Sequence, residues 1–254
     1  MKTVLVTGAN GQLGLAIKAV AENYTDLSFV FAGKAELDVT SEKPIAKFFE
    51  KNKLDYCINC AAYTNVDKAE EEPEAAYLLN ETAPRLLAKA CKKQNVFLIH
   101  ISTDYVFDGT KGSPYTVEDT PNPINVYGAS KLAGEKAIAA AGGDYCIVRT
   151  SWLYSEYGIN FQTKILEKAK TDSYLEVVSD LYGTPTYAPN LVVCLLNKIT
   201  ESAFASNMEH FSDGKMMSWY ELAEKVVSDN LKINQIKSNT LKLYALRPKN
   251  TGLK

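Results

Sequence analysis

The sequence predicts an α/β fold in which a doubly wound parallel sheet carries a smaller C-terminal lobe. Two observations indicate this class. Short, nearly all-apolar runs alternate with amphipathic helical stretches through the first 150 residues, and a glycine-rich turn joins the first run to the first helix. Apolar strands that alternate with helices are typical of a parallel sheet covered on both faces, which is the Rossmann-like arrangement.

Five strands and four helices are expected in order along the first part of the chain. Each strand is a run of β-branched, aromatic and aliphatic residues, and each helix shows a spacing of three to four between its apolar positions. Pro44 lies in the first turn of the second helix, where it is well tolerated. The predicted strands cover 2–7, 27–33, 55–61, 96–102 and 145–151, and the predicted helices cover 12–24, 43–52, 73–94 and 124–142.

The alternation becomes less regular after about residue 152. Helices are predicted near 160–170, 188–201 and 218–230, with strands at 175–180 and near 210. No low-complexity linker or internal repeat separates these elements from the first part. We therefore predict a core over 1–152 and a smaller mixed lobe over 153–254, with some elements of the lobe returning to the core.

Composition excludes several classes of partner. The 254 residues are 46% hydrophobic with a net charge of -2, so no basic surplus indicates nucleic acid or an anionic membrane. No apolar run approaches the roughly 20 residues that span a bilayer. The N-terminal apolar run reaches glycine after about four residues, too short for a signal peptide. A cytoplasmic protein is expected.

The five cysteines are expected to be reduced. Cys57 and Cys60 form a CxxC motif, but it lies in a predicted strand, where a spacing of three places the side chains on opposite faces. A redox-active CxxC normally begins a helix, which lowers the pKa of one thiol. A zinc site is disfavoured because the chain has one CxxC and only His100 and His210.

The segment VLVTGANGQLG is the first along the chain that predicts a ligand-binding site. Gly8, Gly11 and Gly14 follow a strand and open a helix, as in a dinucleotide-binding turn, although their spacing is GxxGxxG rather than GxGxxG. Glycines allow the backbone to approach a pyrophosphate, and the helix N-terminus favours its negative charge. Residues 1–152 are therefore predicted to bind a dinucleotide, with a structural glycine turn as the alternative.

The tip of the second strand bears on the choice of cofactor. We find no acidic residue there to bind a ribose 2′-hydroxyl, and Lys34 follows Gly33 instead. A lysine at this place favours a 2′-phosphate, so NADPH is expected over NADH, with NADH left open. The alternative is that Lys34 is a solvated surface lysine.

Hydroxyl, aromatic and acidic residues follow three successive strands, where this fold binds ligands. Beyond them, Tyr127 and Lys131 are spaced to face the same side of a helix. A phenol has a pKa near 10, and a neighbouring ammonium would stabilise its anion. Thr103 adds a hydroxyl that could orient a carbonyl. These groups suit a reaction in which a nicotinamide supplies hydride and the phenol supplies a proton.

These motifs resemble the extended short-chain dehydrogenase/reductase superfamily: TGxxGxxG, STD after the fourth strand, and YxxxK on the next helix. Finer motifs are similar to those of the dTDP-4-dehydrorhamnose reductase family, from residue 3 to about 253. They are GQLG, LDVT, AAYTNVDKAE, STDYVFDG, PINVYGASKLAGE, RTSWLY, NF, DLYGTPT and RPKN. The resemblance implies NAD(P)H-dependent reduction of the 4-keto group of a dTDP-sugar to give dTDP-L-rhamnose.

The resemblance also implies roles for individual residues. Thr103, Tyr127 and Lys131 match the catalytic positions. Tyr127 and Lys131 would also contact the cofactor, Lys131 at the nicotinamide ribose. The implied cofactor contacts are Gly11, Gln12 and Leu13 at the pyrophosphate, Asp38 and Val39 at the adenine, and Ala61, Ala62, Tyr63 and Thr64 along the ribose and nicotinamide. The implied substrate contacts are Asp104, Tyr105 and Trp152 near the sugar, with Arg247 and Asn250 by the nucleotide.

The chain departs from the family pattern in two places. Relatives usually continue past the RPxN motif into a further helix, whereas this chain ends at Lys254, so a truncated C-terminus is an alternative. Some members contact magnesium through acidic residues at a dimer contact, where Ala16 and Pro189 stand here. We therefore expect no metal, and a homodimer is left open.

Two other functions remain alternatives. A nucleotide-sugar epimerase or dehydratase would recycle a tightly held cofactor, but dehydratases usually carry an acid pair where Tyr105 follows Asp104 here. A non-catalytic role is the second, because the fold also resembles the NADP-binding regulatory subunit of methionine adenosyltransferase. The intact set of Thr103, Tyr127 and Lys131 gives no sign of lost catalysis.

Overall fold

A six-stranded parallel sheet forms the centre of the computed structural model, which describes residues 1–227, 232–238 and 247–254. The strands are β1 (Lys2–Thr7), β2 (Leu27–Ala32), β3 (Tyr56–Asn59), β4 (Phe97–Thr103), β5 (Tyr145–Thr150), β6 (Leu153–Tyr154), β7 (Tyr174–Val178), β8 (Tyr182–Gly183), β9 (Thr186–Tyr187), β10 (Met208–Phe211), β11 (Met217–Ser218) and β12 (Lys232–Ile236). The sheet order is β10-β5-β4-β3-β1-β2. The predicted α/β class is confirmed.

Nine α-helices are present in the described part of the chain. They are α1 (Gln12–Val20), α2 (Glu42–Lys51), α3 (Val66–Glu71), α4 (Pro73–Tyr77), α5 (Ala83–Gln94), α6 (Val126–Ala141), α7 (Phe161–Thr171), α8 (Ala188–Glu201) and α9 (Trp219–Val226). Short 3-10 turns cover Ala21–Asn23 and Asp104–Val106. None of the described helices combines the length and apolar character needed to span a bilayer.

Alternating strand residues divide the core into two layers. Val4 and Val6 of β1 pack with α1 and α8 on one face of the sheet, while Leu5 packs with α2 and α5 on the other. Cys57 belongs to the second layer and Cys60 packs against the first, and both thiols are free. The prediction of reduced cysteines on opposite faces is confirmed.

The predicted helix over 73–94 is wrong as a single α-helix. It is divided into α4, a π-helical turn over Leu78–Thr82, and α5. The π turn admits one extra residue per turn and buries Asn80 in a position that an apolar period of 3.6 does not anticipate. Predicted strand ends otherwise differ from the observed ones by one or two residues.

Some elements beyond residue 152 pack against the core, and others form a separate cluster. α8 packs on α1, and β10 extends the sheet beside β5. A separate cluster joins α7, β7, α9 and β12 around Ile165, Leu175 and Ala223. The predicted helix over 218–230 is observed as α9, and residues 228–231 and 239–246 lie outside the described residues. The division into two domains stays a prediction.

The strand order reverses beside β1, because β2 lies on one side of it and β3 on the other. In an open parallel sheet, a crevice forms at such a switch point, outside the carboxyl ends of the strands. The turn after β1, the loop after β3 and the end of β4 therefore face one cleft.

Candidate active site

The turn after β1 brings two backbone segments into close contact. Gly8 has a φ of +62°, and a Cβ there would lie 2.6 Å from the Ala61 backbone nitrogen. A Cβ on Gly14 would lie 2.6 Å from the Cα of Ala9. Both positions therefore require glycine, one for the turn and one for the packing of α1 on the turn.

Helix α1 begins at this turn without a side-chain cap. Gly11 is the N-cap residue, and the first turn holds no acidic side chain. The first backbone N–H groups of a helix have no partner within it and carry partial positive charge. The turn therefore presents an N-terminus suited to a phosphate group.

A cleft of about 510 Å³ lies between the ends of β1, β2 and β3. Eight of the predicted cofactor residues line it: Gly8, Gly11, Lys34, Asp38, Val39, Ala61, Ala62 and Tyr63. Gln12, Leu13, Gly14, Thr64, Tyr127 and Lys131 are not among the lining residues. The Leu13 side chain belongs to the core, so this residue could face the cleft only through its backbone.

The prediction that no acidic residue lies at the tip of β2 is wrong. Glu36 folds back over a turn, and its Oε2 accepts a hydrogen bond of 2.9 Å from the Gly33 N–H. The carboxylate belongs to a residue three positions after Gly33, which a search limited to the tip itself does not reach. Lys34 still lines the cleft beside Gly33.

Asp38 is held by its own loop at the edge of this cleft. Its Oδ1 accepts hydrogen bonds from the backbone N–H and the hydroxyl of Thr40, at 3.0 and 2.6 Å. These bonds, together with Lys34, hold the pKa of Asp38 below its usual value. The LDVT motif therefore presents an ionised carboxylate at the position predicted for the adenine side.

The three predicted catalytic residues come from two neighbouring elements. Thr103 is the last residue of β4, while Tyr127 and Lys131 occupy the first two turns of α6. Asn125 caps α6 by accepting a hydrogen bond of 2.7 Å from the Gly128 N–H. A Cβ on Gly128 would lie 2.1 Å from the Tyr105 carbonyl oxygen, so glycine here allows the helix to approach the end of β4.

The environment of Tyr127 favours the protonated phenol. Burial raises its pKa to about 12, a hydrogen bond with Thr103 opposes that change, and Asp104 adds to it. The Tyr105 ring meets the Tyr127 ring edge-on with centroids 5.6 Å apart. Because this environment disfavours the phenolate, Tyr127 carries its proton at neutral pH and is suited to donate it.

Lys131 is only 2% exposed, which rules out a solvated lysine. Its Nζ donates a hydrogen bond of 2.6 Å to the Ile101 carbonyl oxygen and lies 3.3 Å from His100 Nε2. Burial lowers its pKa to about 8. The sequence predicts that the ammonium lies beside the phenol, but in this structure the side-chain nitrogen donates to the backbone of β4.

Asp104 connects the catalytic strand to the end of the chain. Its two oxygens accept hydrogen bonds from the Thr103 hydroxyl, at 3.0 Å, and from the Thr251 hydroxyl. Burial raises its pKa to about 7, although both bonds act to lower it. Thr251 was missed from the sequence because it lies 147 residues from Asp104 and carries no motif of its own.

Trp152 follows β5 with a φ of +47°, a conformation that L-residues adopt rarely. Its indole stacks on Trp219 at the start of α9, with centroids 3.6 Å apart and planes 6° apart. A Cβ on Gly183 would lie 2.6 Å from the indole, which accounts for the glycine in DLYGTPT. Trp219 is a further residue that sequence reasoning missed.

Arg247 and Asn250 lie in the C-terminal segment, which contacts helix α3 and strand β8. Arg247 pairs with Asp67 of α3 through Nη2 and Oδ2, 2.9 Å apart. Asn250 forms a bridge with Tyr182 of β8. The segment is therefore anchored to both the core and the smaller lobe, and a nucleotide contact for either residue stays a prediction.

Asn80 joins the cofactor cleft to the catalytic helix. Its side chain exchanges hydrogen bonds with the backbone N–H and carbonyl of Tyr63, at 2.9 and 3.0 Å, and donates to Ser130 Oγ at 3.0 Å. The sequence carries no clear signal of this role, because Asn80 is one of several polar residues in the predicted helix over 73–94.

Comparisons with known proteins indicate the family to which the chain belongs. The family model described as the RmlD substrate binding domain matches residues 1–254. A dTDP-4-dehydrorhamnose reductase from Sinorhizobium fredii is 37% identical over 98% of this chain and 87% of its own.

Two solved structures are also similar. A dTDP-4-dehydrorhamnose reductase from Bacillus anthracis in complex with NADP has a TM-score of 0.93 and 37% identity, covering 100% of this chain and 91% of its own. A dTDP-4-dehydrorhamnose reductase from Clostridium acetobutylicum has a TM-score of 0.94 and 36% identity, covering 99% of this chain and 90% of its own. The chain therefore belongs to the dTDP-4-dehydrorhamnose reductase family, whose model is the RmlD substrate binding domain.

Proposed function

We propose that this chain reduces the 4-keto group of dTDP-4-dehydro-6-deoxy-L-mannose with NADPH and so forms dTDP-L-rhamnose. The observation that carries the proposal is that Thr103, at the end of β4, lies within hydrogen-bonding range of Tyr127 on α6, the helix that also carries Lys131. The same chain has a cleft at its glycine turn that suits a dinucleotide. Family membership supplies the substrate class, because the relatives are named for this reaction. The chain is accordingly an oxidoreductase of nucleotide-sugar metabolism.

The residues of the cleft fit a nicotinamide dinucleotide. Gly8 and Gly14 leave no room for a Cβ, and the uncapped N-terminus of α1 is suited to the pyrophosphate. Lys34 lies in the lining, where it could pair with a 2′-phosphate. The Bacillus anthracis relative holds NADP, which supports NADPH, with NADH as a second donor to be tested.

The chemistry of the residues follows from their protonation states. When bound, NADPH supplies the hydride that adds to C4 of the sugar. Tyr127, protonated at neutral pH, gives its proton to the carbonyl oxygen as that oxygen gains charge. Thr103 lies within hydrogen-bonding range of Tyr127 and would orient the carbonyl, and Lys131 would hold the cofactor ribose. One hydride and one proton convert the ketone to an alcohol.

The substrate side is proposed to use residues of both lobes. Asp104, Tyr105 and Trp152 lie at the ends of β4 and β5 and are proposed to contact the sugar. Arg247 and Asn250 are proposed to contact the nucleotide. A cytoplasmic location and a homodimer stay predictions from the sequence.

The test is consumption of NADPH in the presence of the dTDP-4-keto sugar, with the product identified by NMR. We expect one NADPH oxidised per dTDP-L-rhamnose formed. Conversion of the sugar without net NADPH consumption would instead indicate an epimerase or dehydratase. Binding of NADP without any turnover would indicate a regulatory role.

A further inference from the structure

Glu36 is an exposed carboxylate that folds onto the rim of the cofactor cleft. Its Oε2 accepts the hydrogen bond of 2.9 Å from the Gly33 N–H, and a Cβ on Gly33 would lie 3.0 Å from the same oxygen. Gly33 lines the cleft just beyond the end of β2. The carboxylate therefore lies over the tip of β2, although Glu36 itself belongs to the loop that follows.

The side chain of Asn10 reaches the same point from the turn after β1. A Cβ on Gly33 would overlap Asn10 Nδ2, so the amide and the Glu36 carboxylate both lie against this glycine. Asn10 also lines the cleft. A backbone N–H, an amide and a carboxylate consequently meet at one corner of the cleft, and a residue larger than glycine at position 33 would separate them.

The charges at this corner do not favour an anion strongly. Lys34 is the one cation, and Asp38 the one carboxylate, among the described residues that line the cleft. Hydrogen bonds from Thr40 lower the pKa of Asp38, so this carboxylate stays ionised. Glu36 adds a second carboxylate beside Gly33. Two negative groups therefore face one positive group.

Glu36 is held less firmly than Asp38. In the part of the chain that the structure describes, the bond to Gly33 is the one hydrogen bond of the Glu36 side chain, and the side chain is exposed. Asp38 accepts two bonds from Thr40. Since water can replace a single exposed hydrogen bond at little cost, the Glu36 carboxylate can leave the Gly33 N–H while the Asp38 carboxylate stays in place.

This corner would receive the ribose of the adenosine half of a dinucleotide. In this fold, an acidic residue about 20 positions beyond the glycine turn accepts from the ribose 2′-hydroxyl. Glu36 lies 22 residues after Gly14. A 2′-hydroxyl can donate to a carboxylate, whereas a 2′-phosphate carries a charge of about −1.5 to −2 and repels it. The two forms of the cofactor therefore make opposite demands on Glu36.

We propose that Glu36 is a selectivity residue that narrows the preference of this chain for NADPH over NADH. When NADH binds, Glu36 accepts from the ribose 2′-hydroxyl. When NADPH binds, Glu36 leaves the Gly33 N–H, and that N–H and Lys34 then serve the 2′-phosphate. The inference rests on the proposed function, because it assumes a nicotinamide dinucleotide in the cleft.

The test compares the affinities of wild type and Glu36→Gln for NADP and NAD, measured separately by calorimetry. The glutamine oxygen can still accept from the Gly33 N–H, so the variant keeps the turn and loses only the charge. We expect the dissociation constant of NADP to fall about fivefold, because a repulsive charge is removed. That of NAD should rise about threefold, because a neutral acceptor binds the 2′-hydroxyl less strongly than a carboxylate does.

Two further variants and a change of salt separate the charges. Lys34→Gln should weaken NADP and leave NAD unchanged. Glu22→Gln, which removes an exposed carboxylate from the turn at the other end of α1, should bind both dinucleotides as wild type does. In about 1 M salt the gain of Glu36→Gln for NADP should disappear, since exposed charges are then screened.

A purely structural role for Glu36 in its turn would change both affinities in the same direction. That result, or an unchanged ratio of the two dissociation constants, would overturn the inference and leave the proposed function standing. Failure of the wild-type protein to bind either dinucleotide would instead overturn the proposed function. In turnover, the ratio of kcat/KM for NADPH to that for NADH should rise in Glu36→Gln by about the factor seen in binding.

Discussion

At the scale of the residue, the site is defined by what burial does to three titratable groups. Burial raises the pKa of Tyr127 to about 12 and that of Asp104 to about 7, and it lowers the pKa of Lys131 to about 8. Each change favours the uncharged form. The cofactor-free site therefore holds a protonated phenol ready to donate to a carbonyl.

Removal of the phenol hydroxyl tests this role. Tyr127→Phe keeps the ring and its edge contact with Tyr105 but has no proton to give. We expect kcat to fall by about 10²–10⁴-fold, the usual contribution of a general acid. Affinity for NADPH, measured by fluorescence, should change little. Tyr24→Phe, which removes a phenol bonded to Asn197 far from the site, should keep full activity.

Asp104 predicts a distinctive dependence of stability on pH. Its pKa in the folded protein, about 7, is above the ordinary value of 3.8. Its contribution to the free energy of unfolding is therefore fully present below about pH 4 and is lost as the pH rises to 7. When the free energy of unfolding is measured in urea between pH 4 and pH 8, it should fall with rising pH in the wild type. The Asp104→Asn variant should not show this fall.

Asp108 provides a control, because its contribution to stability should change with pH in the opposite direction. Hydrogen bonds from Asn122, Thr110 and Tyr115 hold its pKa below the ordinary value. Its contribution is present above the unfolded pKa and is lost as the pH falls, so Asp108→Asn should remove stability at neutral pH rather than at acid pH. Identical pH profiles for wild type and Asp104→Asn would contradict the account of Asp104.

At the scale of the element, the π-helical turn over Leu78–Thr82 positions the site. It lies between α4 and α5 and presents Asn80 to Tyr63 on one side and Ser130 on the other. A Cβ on Gly134 would lie 2.0 Å from the Asn80 carbonyl oxygen, so α6 packs directly on this turn. The turn thereby fixes the distance between the cofactor cleft and the catalytic helix.

Asn80→Ala should destabilise the protein and weaken cofactor binding together. It leaves the Tyr63 N–H and carbonyl without their partner, at a cost of about 1–3 kcal/mol for each buried group left unsatisfied. We expect a lower urea midpoint and a raised KM for NADPH. Ser130→Ala removes a single bond and should cost clearly less. Equal effects of the two variants would argue against Asn80 as the organising residue.

The elements of the core were predictable because each follows from its own residues. β1, β4 and β5 are short apolar runs, and the YxxxK spacing alone placed Tyr127 and Lys131 on one helix. The π turn was not predictable from periodicity, since its extra residue is stabilised by packing against α6. Glu36 was missed for a similar reason, because a turn returns its carboxylate to Gly33, three residues earlier and just past the end of β2.

At the scale of the whole molecule, the site is completed by residues far apart in the chain. Thr251 reaches Asp104, and Trp219 of the smaller lobe stacks on Trp152 at the end of β5. A local sequence pattern cannot predict such pairs, because each pair depends on where two distant segments of the chain meet. This is why the catalytic residues could be found from motifs and their supports could not.

Trp219→Leu tests whether the smaller lobe positions the substrate side. Loss of the stack removes support from Trp152, whose φ of +47° needs packing to persist. Stacked aromatic pairs contribute about 0.5–1.5 kcal/mol beyond their buried area. We therefore expect a severalfold higher KM for the dTDP-sugar and an unchanged KM for NADPH. A change in the KM for NADPH alone would contradict the assignment of Trp219 to the substrate side.

The same variant has a spectroscopic readout. The chain has two tryptophans, and they form this stack. Near-ultraviolet circular dichroism should therefore show a coupled indole signal in the wild type that is absent in Trp219→Leu.

The most direct test of the central claim follows the hydride itself. NADPH carrying deuterium at the transferred position of nicotinamide C4 is incubated with the protein and dTDP-4-dehydro-6-deoxy-L-mannose, and the sugar product is analysed by NMR and mass spectrometry. The account predicts dTDP-L-rhamnose with one deuterium, at C4 of the sugar. Unlabelled product, deuterium at another carbon, or conversion without loss of deuterium from the cofactor would contradict it.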